Sequence, residues 1–93
     1  MILAVRHTSA DFAAWKRGFD EHAGNRKGHG ATGHTLLQSV DDPNTVLVLN
    51  RFPDRASIDA FVNDPELAEA MKRAGVVSKP ELSIWEETEE VPY

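Results

Sequence analysis

Apolar and polar residues recur in a few short segments, and these segments predict the secondary structure. Residues 2–7, ILAVRH, and residues 45–52, TVLVLNRF, are rich in branched apolar side chains, which is typical of β-strands. The second run is apolar at every position over 46–49, which predicts a strand that is covered on both faces. Two further strands are predicted in TGHTLLQSV, residues 32–40, and in ELSIWEE, residues 81–87.

The first helix is predicted between the first two strands. Thr8 with Asp11 three residues later is a variant of the capping box that can start a helix. Apolar side chains then recur at spacings of three and four, in the order Phe12, Trp15 and Phe19, with His22 next. This spacing predicts one buried helical stripe. The helix is expected to end near Ala23–Gly24, and GNRKGHG, residues 24–30, is expected to be a glycine-rich loop.

A second helical region follows the third strand. Asp54 can cap a helix over RASIDAFV, residues 55–62. The sequence NDPE interrupts it, with Asp64 as a fresh cap and Pro65 suited to the first helical position. The continuation is expected to stop at Gly75.

The predicted order is strand, helix, strand, strand, helix, strand, in one domain that spans residues 1–93. This order indicates an α+β fold, the ferredoxin-like βαββαβ arrangement, with both helical regions on one face of an antiparallel sheet. Nothing in the chain remains to cover the other face. A second copy of the chain could cover it, sheet against sheet.

Composition narrows the classes of partner. The net charge is −5 and the pI is about 5.2, which argues against nucleic acid and against an anionic membrane surface. The absence of cysteine excludes disulfides, thiolate nucleophiles and Cys-ligated zinc. The opening MILAVRHTSAD is too short for a signal-peptide core, so a cytoplasmic location is expected.

Several segments together resemble the dimeric α/β-barrel superfamily, which includes antibiotic-biosynthesis-monooxygenase-like and polyketide-cyclase-like proteins. The matching pieces are VRH at 5–7, DFAAWKRGFDEH at 11–22, Arg26, DDPNTVLVL at 41–49, AF at 60–61, DPELAEAMKRAGV at 64–76 and Pro80. The resemblance implies a homodimer whose sheets form a shared barrel, with pockets for small aromatic or polyketide-like molecules. Some relatives oxygenate such molecules without metal or flavin, others cyclise them, and others bind or degrade haem. No haem-ligand pattern stands out here, and Phe12 replaces a Tyr that many relatives carry.

The topology places the candidate residues at two ends of the sheet. His7 continues the row of Leu3 and Val5, and it is expected near Phe12, Trp15 and Met71. It could serve as a general acid or base, since an imidazole titrates near neutral pH, or it could be a structural residue bonded to the backbone. The opposite end is expected to gather the remaining polar candidates, His22, Arg26, His29, His34, Asn50 and Arg51.

The remaining candidates also have two interpretations. Trp15 could form the wall of a pocket or pack in the core, and both can hold at once. His22 and Arg26, four residues apart, could hold an anionic oxygen, or they could form an ordinary polar helix end. Substrate contacts are predicted for Phe12, Trp15, Phe19, Asn50 and Met71.

Metal and phosphate sites are not predicted. The spacings of His22, His29 and His34 match no tight zinc motif, so no metal is expected. The resemblance implies a reaction that needs no other cofactor. The segment GNRKGHG lacks the G-K-[ST] ending of a phosphate-binding loop.

Two functions remain open. One is a cofactor-independent enzyme, monooxygenase-like or polyketide-cyclase-like, with His7 as acid or base, His22 and Arg26 orienting an oxygen, and an aromatic or polyketide-like substrate. The other is a non-catalytic dimeric carrier or sensor of small hydrophobic metabolites. A pocket that holds His7 or His22 beside the Trp would favour the enzyme, and an apolar pocket without titratable groups would favour the carrier.

Overall fold

A computed structural model describes residues 1–93, which form a four-stranded sheet with four helical segments on one face. The strands are β1 (Ile2–Thr8), β2 (Gly33–Gln38), β3 (Thr45–Arg51) and β4 (Glu81–Trp85). The helices are α1 (Phe12–Glu21), α2 (Ala23–Gly28), α3 (Arg55–Val62) and α4 (Pro65–Arg73). The strand order is β2-β3-β1-β4 with every pair antiparallel, which confirms the predicted ferredoxin-like α+β fold.

Aspartate side chains begin three of the helices. Asp54 and Asp64 cap α3 and α4 as predicted, each accepting a backbone N–H from the first turn. The cap of α1 is Asp11 and not Thr8, so that part of the prediction is wrong. Thr8 stays in β1, where its backbone N–H donates to the hydroxyl of Ser78 at 2.8 Å.

The predicted glycine-rich loop is wrong in its first part, because Ala23–Gly28 forms the helix α2. The carbonyl of His22 accepts the N–H groups of Asn25 and Arg26, so the chain passes from α1 into α2 with no extended residue between them. A positive φ appears only at the end of this segment, at Gly30 with φ 95°. Burial of Arg26 against α1 outweighs the low helix propensity of the glycines.

The core lies between the sheet and the helices in two clusters. The first is built by Leu3, Val5, Phe52, Ile58 and Phe61. The second is built by Trp15, Val46 and Val48. Full burial of one such side chain contributes about 1.5–3 kcal/mol to folding.

The other face of the sheet is uncovered in the single chain. It carries the residues that alternate with the core positions, namely Ile2, Ala4, Arg6, Leu47, Leu49, Glu81, Ser83 and Trp85. Leu47 and Leu49 are only partly buried, and Trp85 is 61% exposed. The sequence predicts that β3 is buried on both faces. A single chain buries only the face that packs against the helices. None of the helices is both long and apolar enough to cross a membrane.

Candidate functional site

A cavity of about 50 Å³ lies between the helix-covered face of the sheet and the helices. This volume admits roughly four water molecules. The lining is mostly apolar, but it includes two imidazoles, one guanidinium and one amide. The lining residues are Val5, His7, Trp15, Gly18, Phe19, His22, Arg26, Val48, Asn50, Phe61, Leu67, Ala70, Met71 and Ala74.

His7 enters this cavity from β1 without a hydrogen-bond partner. It alternates with Leu3 and Val5 as predicted, and it is 5% exposed. Neither ring nitrogen has a partner in the protein. Burial lowers the pKa of the imidazole below its ordinary value near 6.5, so the ring is neutral at pH 7. A neutral imidazole offers one donor and one acceptor to whatever enters the cavity.

Aromatic rings from α1 form the wall beside His7. The indole of Trp15 meets the imidazole edge-on, with ring centroids 5.6 Å apart and an interplanar angle of 73°. Phe19 stacks on Trp15 at 4.9 Å and 18°. Phe12 packs on the indole at 5.9 Å but does not line the cavity, so its contact with a ligand stays a prediction.

Arg26 lies at the far end of this aromatic wall. Its guanidinium carbon is 3.7 Å from the centroid of Phe19, which is a cation–π contact. The residue is 7% exposed, and it takes part in none of the salt bridges of the chain. Burial lowers the pKa of Arg26, and the negative charge of Asp20 acts in the opposite direction. The guanidinium remains charged at neutral pH.

Two further polar groups reach the cavity with a free atom each. His22 joins α1 to α2, and its Nε2 is buried without a partner. Burial lowers the pKa of His22, and the charge of Arg26 lowers it further. The amide of Asn50 donates to the carbonyl of Leu3 at 3.3 Å, while its Oδ1 is buried and unpaired.

The polar groups lie at two ends of one cavity. In the sheet register His7 pairs with Val46, and Asn50 lies four residues further along β3. Strand geometry makes that separation about 13 Å. Arg26 lies toward the Asn50 end, because His34, which pairs with Asn50, packs against the same Phe19 ring. Residues that the sequence places at opposite ends of the sheet therefore share a cavity.

Small residues between α1 and α4 shape the cavity, and the sequence reasoning missed them. A Cβ built on Gly18 would lie 3.0 Å from the Cβ of Ala74, so α4 approaches α1 closely there. Ala70 and Ala74, four residues apart, both line the cavity, as does the predicted Met71. The spacing of the two alanines was the available signal, since it places them on one face of α4.

The remaining histidines serve other contacts. His29 Nε2 lies 2.8 Å from the Asp64 carboxylate, and the ring of His34 packs edge-on against Phe19 at 4.9 Å. No group of three or more His, Asp or Glu side chains is arranged to hold a metal ion. The expectation that no cofactor is needed stays a prediction.

Asp64 joins α2 to the start of α4. Its carboxylate accepts from His29, from the backbone N–H of Glu66 at 2.9 Å and from the Asn25 amide at 3.2 Å. The bond with His29, then the two other hydrogen bonds, lower the pKa of Asp64 to about 2. This carboxylate therefore holds together two of the helices that enclose the cavity.

The sequence model of the antibiotic biosynthesis monooxygenase family matches residues 2–73, and the chain belongs to this family. The solved structure of SnoaB from Streptomyces nogalater, a cofactor-independent oxygenase, is 20% identical, with 94% of this chain and 93% of that chain covered and a TM-score of 0.72. A proposed antibiotic biosynthesis monooxygenase from Bordetella bronchiseptica is 13% identical, with coverages of 94% and 96% and a TM-score of 0.78. At these identities the likeness shows the fold. No curated protein matches the chain.

Proposed function

We propose that this chain is a cofactor-independent enzyme, of the monooxygenase or cyclase type, that acts on an aromatic or polyketide-like molecule in the cavity. One observation carries the proposal, the buried imidazole of His7 with two unpaired nitrogens beside Trp15. A buried polar group without a partner costs about 1–3 kcal/mol, and a bound ligand would relieve that cost. Membership of the family and the cofactor-independent relative SnoaB support the same reading.

The first chemical step is a proton transfer to His7. Because burial keeps the imidazole neutral at pH 7, one ring nitrogen is free to accept a proton from an acidified C–H or O–H of the ligand. The indole of Trp15 holds the aromatic body of the ligand in place. Arg26 and His22 bind an oxygen of the ligand that carries negative charge, at the opposite end of the cavity from His7.

In the oxygenase case the substrate itself supplies the electrons. A CH₂ group loses a proton to His7, and the resulting carbanion forms a C–O bond with O₂. The peroxide takes a proton back from the imidazolium. Loss of the second hydrogen from carbon as a proton then breaks the O–O bond and leaves a carbonyl and one water. One O₂ is reduced by four electrons, two from the carbanion and two from the second C–H bond.

In the cyclase case the same proton transfer has a different outcome. The enolate formed at His7 attacks a second carbonyl of the same molecule, and the new alkoxide takes the proton back from the imidazolium. No electron acceptor is required. Both reactions use the neutral imidazole that the cavity provides.

We infer in addition that the enzyme is a homodimer with the two sheets face to face. The uncovered face carries the apolar residues Ile2, Leu47, Leu49 and Trp85. A folded monomer of this size has a thin core, so burial of this face would contribute apolar area that one chain lacks. The resemblance to dimeric α/β-barrel proteins supports a second copy as the occupant.

A non-catalytic carrier is the second candidate. The small volume of the cavity and its lining, with 9 hydrophobic residues of 14, favour simple retention of an apolar molecule. The unpaired imidazole next to Trp15 favours the enzyme, because a carrier has no need of an unpaired base.

Oxygen uptake tests the proposal and separates the candidates. Protein treated with a chelator would be mixed with aromatic ketones of one, two and three rings that carry an acidic CH₂ group and a second carbonyl, in an oxygen electrode, and products would be identified by mass spectrometry. We expect O₂ consumption, or conversion to a cyclised isomer, without added metal or flavin. Saturable binding with neither outcome for any bound compound would support the carrier.

A further inference from the structure

The cavity contains one fixed positive charge that the protein does not neutralise. The Arg26 guanidinium has no ion-pair partner, and no Asp or Glu side chain lines the cavity. Asp20, the acidic residue whose charge acts on Arg26, is engaged by Lys16 at 2.6 Å. Both lining imidazoles are neutral at pH 7 because burial lowers their pKa. An unpaired buried charge is costly, so a ligand that brings a negative charge is favoured.

The positive charge lies away from His7. The Arg26 guanidinium covers the ring of Phe19, Phe19 stacks on Trp15, and Trp15 meets the His7 ring. Two aromatic rings therefore stand between the charge and the unpaired imidazole. An anionic group held by Arg26 cannot be the atom that His7 deprotonates, so the ligand needs two functional ends.

The size of the cavity limits what lies between those ends. Its volume of about 50 Å³ is well below the roughly 300–1,000 Å³ of sites for drug-sized ligands. The volume therefore favours a body of no more than one ring, and the flexible Met71 side chain in the lining can adjust to it. A fused three-ring body is larger, and the close approach of Gly18 to Ala74 leaves little space for it between α1 and α4.

We propose that the ligand is a one-ring aromatic monoanion, with its anionic group on Arg26 and an acidic O–H or activated C–H at the His7 end. A ligand that also carries a donor beside its anionic group would pair with the Oδ1 atom of Asn50, which is buried and unpaired at the Arg26 end of the cavity. This inference rests on the proposed function and narrows its substrate from any aromatic molecule to a small acidic one.

The test is calorimetric titration in oxygen-free buffer at pH 7, with 4-hydroxyphenylacetate and its neutral amide as probes. We expect the wild-type chain to bind the acid at least tenfold more tightly than the amide. Arg26→Gln should remove this preference. Lys27→Gln is the matched control, because it removes one positive charge from an exposed position of α2 outside the cavity, and it should keep the preference.

Several results would overturn the inference. They are equal affinity of the wild-type chain for acid and amide, no measurable binding of the acid at millimolar concentration, or a preference that survives Arg26→Gln. Tight binding of anthracene-2-carboxylate would overturn the one-ring limit. The wild-type comparison decides the matter even if Arg26→Gln fails to fold. Because the titration contains no O₂, it measures binding alone, and a preference for the acid would support this inference even if the protein is not an enzyme. Turnover of neutral substrates only would support the proposed enzyme and contradict this inference.

Discussion

The imidazole of His7 meets the indole of Trp15 edge-on inside one cavity, with ring centroids 5.6 Å apart. The first residue comes from β1 and the second from α1. The protein leaves both imidazole nitrogens unpaired. A base without a protein partner, beside an aromatic wall, can take a proton from an aromatic ligand.

Acid should destabilise the protein through its buried histidines. Burial lowers the pKa of His7, so the folded state takes up its proton at lower pH than the unfolded state does. The lower pKa in the folded state makes a contribution to the free energy of unfolding that is fully present above the unfolded-state pKa near 6.5. This contribution is lost as pH falls toward the pKa of His7 in the folded state. His7→Gln should therefore show a shallower loss of unfolding free energy between about pH 7 and 5. Denaturant unfolding across that range would measure it, and equal slopes for the two proteins would contradict it.

Truncation of Trp15 should damage the fold whichever function is correct. The indole is 2% exposed and packs on Val46 and Val48. Trp15→Ala should cost about 3–5 kcal/mol, because it removes buried apolar area and leaves a cavity. The exposed neighbour Arg17 provides the control, and Arg17→Ala should stay within about 0.5 kcal/mol of wild type. Urea unfolding compares them, and a loss below about 1 kcal/mol for Trp15→Ala would mean that the indole is not packed as described.

Loss of the Asp64 carboxylate should loosen the helices around the cavity. Asp64→Ala removes the cap of α4 and the bonds from His29 and Asn25, so its melting temperature at pH 7 should fall by several degrees. These bonds lower the pKa of Asp64 to about 2, so they stabilise the fold only while the carboxylate is charged. The difference in melting temperature between Asp64→Ala and wild type should therefore persist above the unfolded pKa near 3.8 and close as pH falls toward about 2. Thermal melts at several pH values would measure this difference. A constant difference down to the lowest pH would contradict this role.

The uncovered sheet face should hold two chains together. Light scattering should give about twice the 10.3 kDa mass of one chain. Leu49→Lys puts a charge in the middle of that face and should produce monomers. Val40→Lys is the control, because Val40 is 98% exposed in a turn outside the sheet and should leave the dimer intact. A wild-type monomer at micromolar concentration would refute the barrel.

Local signals were enough to predict most of the fold. The strand β3 was predicted from a run of adjacent apolar residues, and the helix caps Asp54 and Asp64 from the residues that follow them. The structure contains the strand and both caps. The helix α2 could not be predicted from its glycines, because a contact with α1, Arg26 on Phe19, contributes to its burial. Propensity is a weak guide where tertiary contacts decide.

The candidate site was only partly predictable. The alternation along β1 and the helical spacing along α1 placed His7 and Trp15 on the covered side of the sheet. Both residues line the cavity. Residues from both ends of the sheet line one cavity because α4 lies close to α1. The small residues Gly18 and Ala74 permit this close approach. The bond between His29 and Asp64 joins residues 35 positions apart, and no local pattern specifies such a pairing.

The turnover rates of three proteins, followed as O₂ uptake or as formation of a cyclised product, test the enzymatic role of the cavity most directly. Wild type, His7→Gln and His34→Gln would be compared on one aromatic substrate at pH 7, with folding checked by thermal melts. His34 is the matched control, because it lies on the same face of the sheet but does not line the cavity. We predict that His7→Gln lowers the rate by at least 100-fold, at the low end of the roughly 10²–10⁴-fold worth of a general base, while His34→Gln stays near wild type. An unchanged rate in folded His7→Gln would contradict the role of His7 as the base.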